Sequence, residues 1–522
     1  MKMKNLKIAC FVACVAMMSV SGPARLNETG MNRMPVTSAA AEDETAQLRQ
    51  QGNDAYNAEN YEEAVKWYTR AAVEGDAEAQ RMLGVCYQYG RGVTQDEFEA
   101  FNWYGKSATQ GNAKAQNSVG FCYEMGQGVT QDYEKAVEWY TKSAEQGYAG
   151  AQFKLGYCYA NGQGVTQDYE KTVEWFTKSA EQGYEVAQCG LGLCYDFGIG
   201  IEQDYTKAAE WYAKSAEQGY DLAQCNLGYC YKIGQGVDQD YAKAAEWYAK
   251  AAEQGLDVAQ YALGLLYEKG LGVEQDYEKA VEWYAKAAEQ GYAAAQCNLG
   301  YCYANGQGVD QDYAKAVEWY TKAAEQGYAY AQFYLGYCYE KGQGVEQDYT
   351  KAVEWYAKAA EQGLDGAQYN LGLLYKNGLG VEQDYEKAVE YFRKAADQGN
   401  INSLEWMGYC YQQGKGVEDI DYAKALEYYL KASEQNSEFA PNEIGNIYYN
   451  GGYGVEQDYE KAVEWFQKAA EQGNTWAFYM MGVCNENGQG TEQNTEKAIE
   501  WYQKAAEDGS EEAQKELERL GM

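Results

Sequence analysis

Residues 149–184 read AGAQFKLGYCYANGQGVTQDYEKTVEWFTKSAEQGY, and this stretch decides the fold. In its first half Ala151, Leu155, Cys158 and Tyr159 fall at helical spacing on one face. Gly156 removes a side chain where a second helix can come close, and Gly162 offers the left-handed residue that ends a helix. The loop Gly162-Gln163-Gly164-Val165-Thr166-Gln167 follows, and Asp168 is placed to cap a second helix. That helix turns Tyr169, Thr172, Val173 and Phe176 inward, carries Glu174 and Lys178 in the favourable i,i+4 order, and closes at Gly183. Helices of about a dozen residues are not stable alone in water. Each must bury its apolar stripe on neighbours.

The pattern returns along the chain. Gly84, Gly120, Gly156, Gly192, Gly228, Gly264, Gly300, Gly336, Gly372 and Gly408 keep one register, and Gly445 and Gly482 follow at steps one residue longer. The extra residues are visible in GVEDIDY (416–422) and GGYGV (451–455). Units of this kind fill residues 77–510, twelve in all. A supersecondary unit stacked on copies of itself gives an all-α solenoid.

The columns A-x-x-x-L-G-x-x-Y-x-x-G-x-G-V, then D-Y-x-K-A-x-E-W-Y-x-K-A-A-E-Q-G, resemble Sel1-like repeats, relatives of the tetratricopeptide repeat. The resemblance implies a right-handed α-α superhelix and a scaffolding role. Residues 46–76 contain GNDAYNAENYEEAVKWYTRAA, lack the Gly-x-Gly-Val loop and resemble an ordinary tetratricopeptide unit. The tail, EEAQKELERLGM (511–522), resembles one more first helix, with Glu518 in place of glycine, and reads as a solvent-facing cap.

The chain opens with Lys2, Lys4 and Lys7, runs apolar from Ile8 to Val20 and reaches Ser21-Gly22-Pro23-Ala24. A positive start, a short apolar core and a small-residue exit form a secretory signal, residues 1–24, too short to span a bilayer as a helix. Residues 25–45 read as a flexible polar leader, with cleavage near Ala41 the alternative. Export to the periplasm or the medium is therefore expected.

Composition narrows the chemistry. The 522 residues include no histidine, 3 prolines and 53 tyrosines. Without histidine there is no Ser-His-Asp triad, Cys-His pair or HExxH zinc site. So few prolines suit a nearly all-helical chain. Lys and Arg number 43 against 79 Asp and Glu, a net charge of −36. That argues against nucleic acid and anionic membranes as partners and favours basic proteins over acidic ones.

Of the 14 cysteines, Cys10 and Cys14 lie in the signal. Nine share one column: Cys86, Cys122, Cys158, Cys194, Cys230, Cys302, Cys338, Cys410 and Cys484. Leu266, Leu374 and Ile447 replace them elsewhere, which marks an apolar buried slot. Cys189, Cys225 and Cys297 stand five before a column cysteine, pointing away from it. Buried structural thiols are expected, with occasional bridges as the alternative. A tryptophan column runs Trp67, Trp103, Trp139, Trp175, Trp211, Trp247, Trp283, Trp319, Trp355, Trp465 and Trp501. Its constancy is what packing between helices demands, so a sugar-stacking ladder is the weaker reading. Asp238 and Asp240 do not complete a calcium loop, and the Gly-Gln-Gly loops lack the Lys-Ser/Thr of a phosphate cradle. No metal and no cofactor are expected.

The variable columns carry the functional signal. By resemblance to tetratricopeptide solenoids, first helices line a concave face, and the residues two before and one after the Leu-Gly pair point into it. These columns supply Phe153, Tyr157, Tyr229, Tyr261, Tyr301, Phe333, Tyr337, Tyr369 and Tyr409, among Cys189, Cys225, Cys297 and leucines. They predict an aromatic inner wall that binds peptides or protein surfaces. Asn53 matches a carboxylate clamp, but Met82 stands where a second asparagine is needed, so no clamp is expected. The expected function is a non-enzymatic exported scaffold. A carbohydrate or cell-wall binder is the alternative, and a two-carboxylate hydrolase the remote one.

Overall fold

The computed structural model describes residues 44–522. The expected signal peptide and nearly all of the leader lie outside the described residues. Helix begins at Glu44, so the last two leader residues belong to the first helix (Glu44–Asn57). The described residues form helices joined by short loops, with one isolated bridge, Gly452 to Val455, inside the second predicted insertion. Contacts divide the chain into one unit ending at Asp276 and another from Tyr277 onward. In each, consecutive helices pack in pairs, and each pair packs on the next.

The reference repeat shows why. Its helices are Ala149–Asn161 and Tyr169–Glu181. Gly162, at φ 66, ends the first helix in the left-handed conformation, and the Asp168 carboxylate accepts the Lys171 N–H to start the second. Thr172, Val173 and Phe176 are buried as expected, while Tyr169 is half-buried. Gly156 is the point of closest approach. A Cβ there would lie 2.7 Å from Cδ1 of Phe176, the fully buried ring of the second helix. The same glycine-on-ring contact joins Gly120 to Tyr140, Gly192 to Tyr212 and Gly336 to Tyr356. Gly164 joins neighbouring repeats. At φ 69 its backbone lies so near the carbonyl of Tyr133 that a Cβ would come within 2.1 Å of that oxygen.

A buried glutamine relay, unread in the sequence, also links repeats. Gln152 donates to the carbonyl of Ala144 in the preceding repeat (3.2 Å) and accepts from the Gln182 amide (2.7 Å). Gln188 with Gln218, and Gln332 with Gln362, repeat the arrangement. Backbone carbonyls at the ends of second helices gain donors this way inside the stack.

All twelve cysteines of the described residues are buried, the three off-column ones included, and no disulfide joins them. Burial alone pushes the Cys194 thiol up, and it dominates in raising Cys158 to about 12. The tryptophan column is half-buried. Trp175 packs one side against the preceding repeat's core, and Lys178, three residues on, lays its ammonium 4.0 Å from the ring centroid while bonding Glu174 at 2.6 Å. Lys106 on Trp103, Lys250 on Trp247 and Lys468 on Trp465 do the same at 3.7 Å. The i,i+3 Trp-Lys spacing was present in the sequence and signalled a capped column.

Candidate functional site

The structure separates the nine predicted contact residues into three groups. Phe153 and Tyr157 are core residues, 3% and 6% exposed, and are not available to a partner. Tyr229, Tyr301 and Tyr337 are exposed, at 49%, 39% and 38%. Tyr261, Phe333, Tyr369 and Tyr409 are half-buried. The expectation that both columns face a groove is thus corrected for the column two before the Leu-Gly pair, where Cys189, Cys225 and Cys297 are buried too. The reason is helical spacing. Phe153 stands three before Gly156 and therefore shares the face that meets Phe176. Its ring stacks on Phe176, with centroids 5.3 Å apart. Phe333 meets Tyr356 (5.7 Å) and Tyr369 meets Phe392 (6.0 Å) in the same way. The column one after the glycine is rotated off this face and leaves Tyr229, Tyr301 and Tyr337 in solvent, while Tyr157 and Leu193 of the same column are buried.

In the unit from Tyr277 onward, exposed rings gather on two adjacent repeats. Tyr301 and Tyr337 occupy equivalent positions on the first helices Ala293–Asn305 and Ala329–Lys341. Tyr334, one turn before Tyr337 on its helix, lies 5.8 Å from Tyr301 and stacks on the buried Tyr320 at 5.2 Å. Phe333 sits edge-on to Tyr334 (5.4 Å), and Tyr330, 53% exposed, continues the patch. The patch therefore has a fixed base and a wettable outer layer of hydroxyls. Burial raises the Tyr334 hydroxyl above its ordinary value, so the ring remains neutral. In the first unit Tyr229 is the exposed member of its column.

Sequence reasoning missed the position directly before the Leu-Gly pair. It reaches back to the preceding repeat's buried ring. Lys154 bonds Glu124 (3.2 Å), which accepts the Tyr140 hydroxyl; Tyr334 stacks on Tyr320; and Trp406 stacks on Phe392. The signal was there, since this column varies from Lys to Gly, Asn, Tyr and Trp. Among the described residues no cluster of three or more His, Cys, Asp or Glu could hold a metal ion, and no helix is long and apolar enough to cross a membrane.

The family model described as Sel1 repeat matches thirteen segments: 40–76, 77–112, 113–148, 149–184, 186–220, 221–256, 257–292, 293–328, 329–364, 366–400, 402–437, 442–474 and 477–510. The match takes in the segment whose sequence resembles an ordinary tetratricopeptide unit. Among solved structures, c5321, a protective antigen present in uropathogenic Escherichia coli strains displaying an SLR fold, is 38% identical with a TM-score of 0.73, covering 87% of this chain and 97% of its own. A Sel1 repeat protein from Oxalobacter formigenes is 33% identical over 66% of this chain and 98% of its own, at a TM-score of 0.46. A putative Sel1 repeat protein from Klebsiella pneumoniae is 27% identical over 38% of this chain and 96% of its own, at 0.28. No curated protein matches the chain.

Proposed function

The chain belongs to the Sel1 repeat family, whose members are commonly non-catalytic scaffolds for protein interaction, and from that premise we propose an exported adaptor that holds a protein or peptide on its exposed tyrosines. The carrying observation is the grouping of Tyr301, Tyr330 and Tyr337 on adjacent repeats over a base of packed rings. Tyrosines of this kind bury much area with few rotors to freeze. The acidic surplus favours basic partners and repels acidic ones. The apolar run at residues 8–20, within the expected signal peptide, supports export.

The test uses the chain from residue 25 on arrays of basic, neutral and acidic peptides, beside Tyr301→Ser/Tyr330→Ser/Tyr337→Ser. These side chains are exposed, so circular dichroism should show an unchanged helical fold. Capture of basic, aromatic-containing peptides by the wild type and its loss from the variant is expected. Equal capture by both removes the patch from the function. Mass spectrometry of the protein recovered outside the cytoplasm should show an N-terminus after Ala24, and an intact Met1 would overturn the export reading.

A further inference from the structure

In several repeats the last turn of the first helix carries an acceptor for the buried tyrosine of the second. Tyr212 donates to Asp196 (3.1 Å), Tyr356 to Glu340 (2.8 Å) and Tyr104 to Gln88 (2.7 Å). The repeat at 366–400 breaks this pattern twice. Its buried ring is Phe392, which has no hydroxyl, and the acceptor position holds Lys376. The next repeat adds Trp406 and places Lys415 where Gln127, Gln163 and Leu379 stand in others.

These departures meet around one cavity of about 120 Å³. Phe392 and Cys410 form its floor, and Trp406 and Tyr409 its walls. Trp406 stacks on Phe392 (5.8 Å, 10°) and stands edge-on to Tyr409 (5.3 Å), so its ring is held from two sides. The Lys376 ammonium lies 3.7 Å from the Trp406 centroid, and Lys415 lies 3.1 Å from the Tyr409 hydroxyl. Among the described residues no carboxylate pairs with either lysine, in a chain with 79 acidic residues against 43 basic ones. Burial pushes the Lys376 ammonium down, the charge of Lys415 adds to that, and Tyr409 and Cys410 oppose it.

We propose that this cavity binds a small monoanion with an apolar body, of the arylalkanoate or branched short-chain carboxylate class. The ring or branch lies along the half-buried Trp406 and Tyr409, and the carboxylate meets Lys376 and Lys415. At about 120 Å³ the cavity is smaller than the one of about 150 Å³ that holds benzene, so the ring or branch enters it only in part and the charged end sits at the mouth marked by the exposed Lys415. A neutral apolar ligand would leave both ammonium groups unanswered, and a compact inorganic anion would leave the aromatic floor uncovered. The site stands whether or not the tyrosine patch holds a partner.

The experiment titrates phenylacetate into the full chain by calorimetry and by ligand-observed saturation-transfer NMR. One saturable site is expected. Lys415→Gln should weaken it about tenfold, as removal of one charge-assisted bond does, and Trp406→Ala should abolish it with the helical content unchanged. Absence of saturable binding, or equal binding by Lys376→Gln/Lys415→Gln, overturns the proposal. So does benzyl alcohol binding as tightly, which would make the cavity merely apolar, or phosphate competing equally, which would make it a general anion site. Binding of an N-acetylated tripeptide ending in phenylalanine, with none of phenylacetate, would assign the cavity to a peptide terminus and overturn it as well.

Discussion

Replacing Gly156 with alanine tests the packing argument at its tightest point. The new Cβ would meet Cδ1 of Phe176 at 2.7 Å and the Thr172 carbonyl oxygen at 3.2 Å. The ring cannot retreat. Its opposite edge faces Gly190 of the next repeat, where a Cβ would lie 2.9 Å from Cε2, and Phe153 stacks on it at 5.3 Å. Overpacking of a filled core costs about 1–3 kcal/mol, and a ring held from several sides belongs in the upper half of that range. Alanine returns about 1 kcal/mol through its higher helix propensity. The net expectation is a loss of about 1–2 kcal/mol. Because repeat arrays unfold locally, the assay is hydrogen exchange resolved by segment, with protection lost in 149–197 and retained near residue 60. The second arm is a cycle with Phe176→Ala. If the clash is the cause, the two substitutions together cost less than their sum by about 1 kcal/mol or more. Additivity within about 0.5 kcal/mol, or a stabilised single variant, would refute the reasoning.

Three further outcomes are expected. The cysteines at 86–484 should resist a thiol reagent at pH 8 in the native state and all react in denaturant, because burial holds Cys86 and Cys122 up to about 12; fast native labelling would contradict the packing. Gln152→Leu should cost about 1 kcal/mol, at the low end for two lost hydrogen bonds. The Ala144 carbonyl keeps the Gly147 N–H at 2.9 Å, and the exposed Gln182 amide can turn to water. A loss above about 3 kcal/mol by denaturant titration would show the relay to be cooperative. At Glu78 burial works to raise the carboxyl, but the Arg81 hydrogen bond (2.7 Å) and charge outweigh it and hold the group below its ordinary 4.5. A depressed folded value stabilises above 4.5 and is lost as pH falls through it. Exchange protection of 77–112 should therefore drop with acid more in the wild type than in Glu78→Gln, and parallel acid profiles would refute this.

The sequence made the architecture legible because its period is enforced by contacts that recur at fixed offsets. Gly156 on Phe176, Gly164 on the Tyr133 carbonyl and Asp168 on the Lys171 N–H each leave a constant letter in a constant place. The nine contact residues were only partly legible, because the concave columns of a related repeat do not show which face Gly156 occupies in this one. Three residues on a helix are nearly one turn, so Phe153 was bound to share that face, while Tyr157 was not. Tyr157 is buried all the same, within the cluster that includes Val186, Leu193 and Ile199. That depends on which neighbours are bulky, which one column read alone does not show. The lysine caps on the tryptophans and the glutamine relay are regular enough to have been read, but both look like ordinary surface composition until a partner at i+3, or in the adjoining repeat, is named.

Function on such a chain is confined by the same contacts. A side chain at Gly156 or its counterparts would displace the ring of the same repeat, so those glycines stay fixed, while the column three before them ranges from Phe153 and Cys189 to Arg81 and Glu405. The position directly before the Leu-Gly pair meets the preceding repeat's ring instead and changes from Lys154 and Gly190 to Tyr334 and Trp406, while the position after the pair changes from Leu193 to Tyr301 and Tyr337. At Phe392 the ring has no hydroxyl, and the position opposite holds Lys376. A tyrosine at 392 would place a hydroxyl toward that ammonium and into the cavity floor. Phe392→Tyr is therefore the substitution that should fill the anion site while leaving the stack intact, and it should weaken phenylacetate with no loss of helix. If it bound phenylacetate as well as the wild type, the missing hydroxyl would have nothing to do with the cavity.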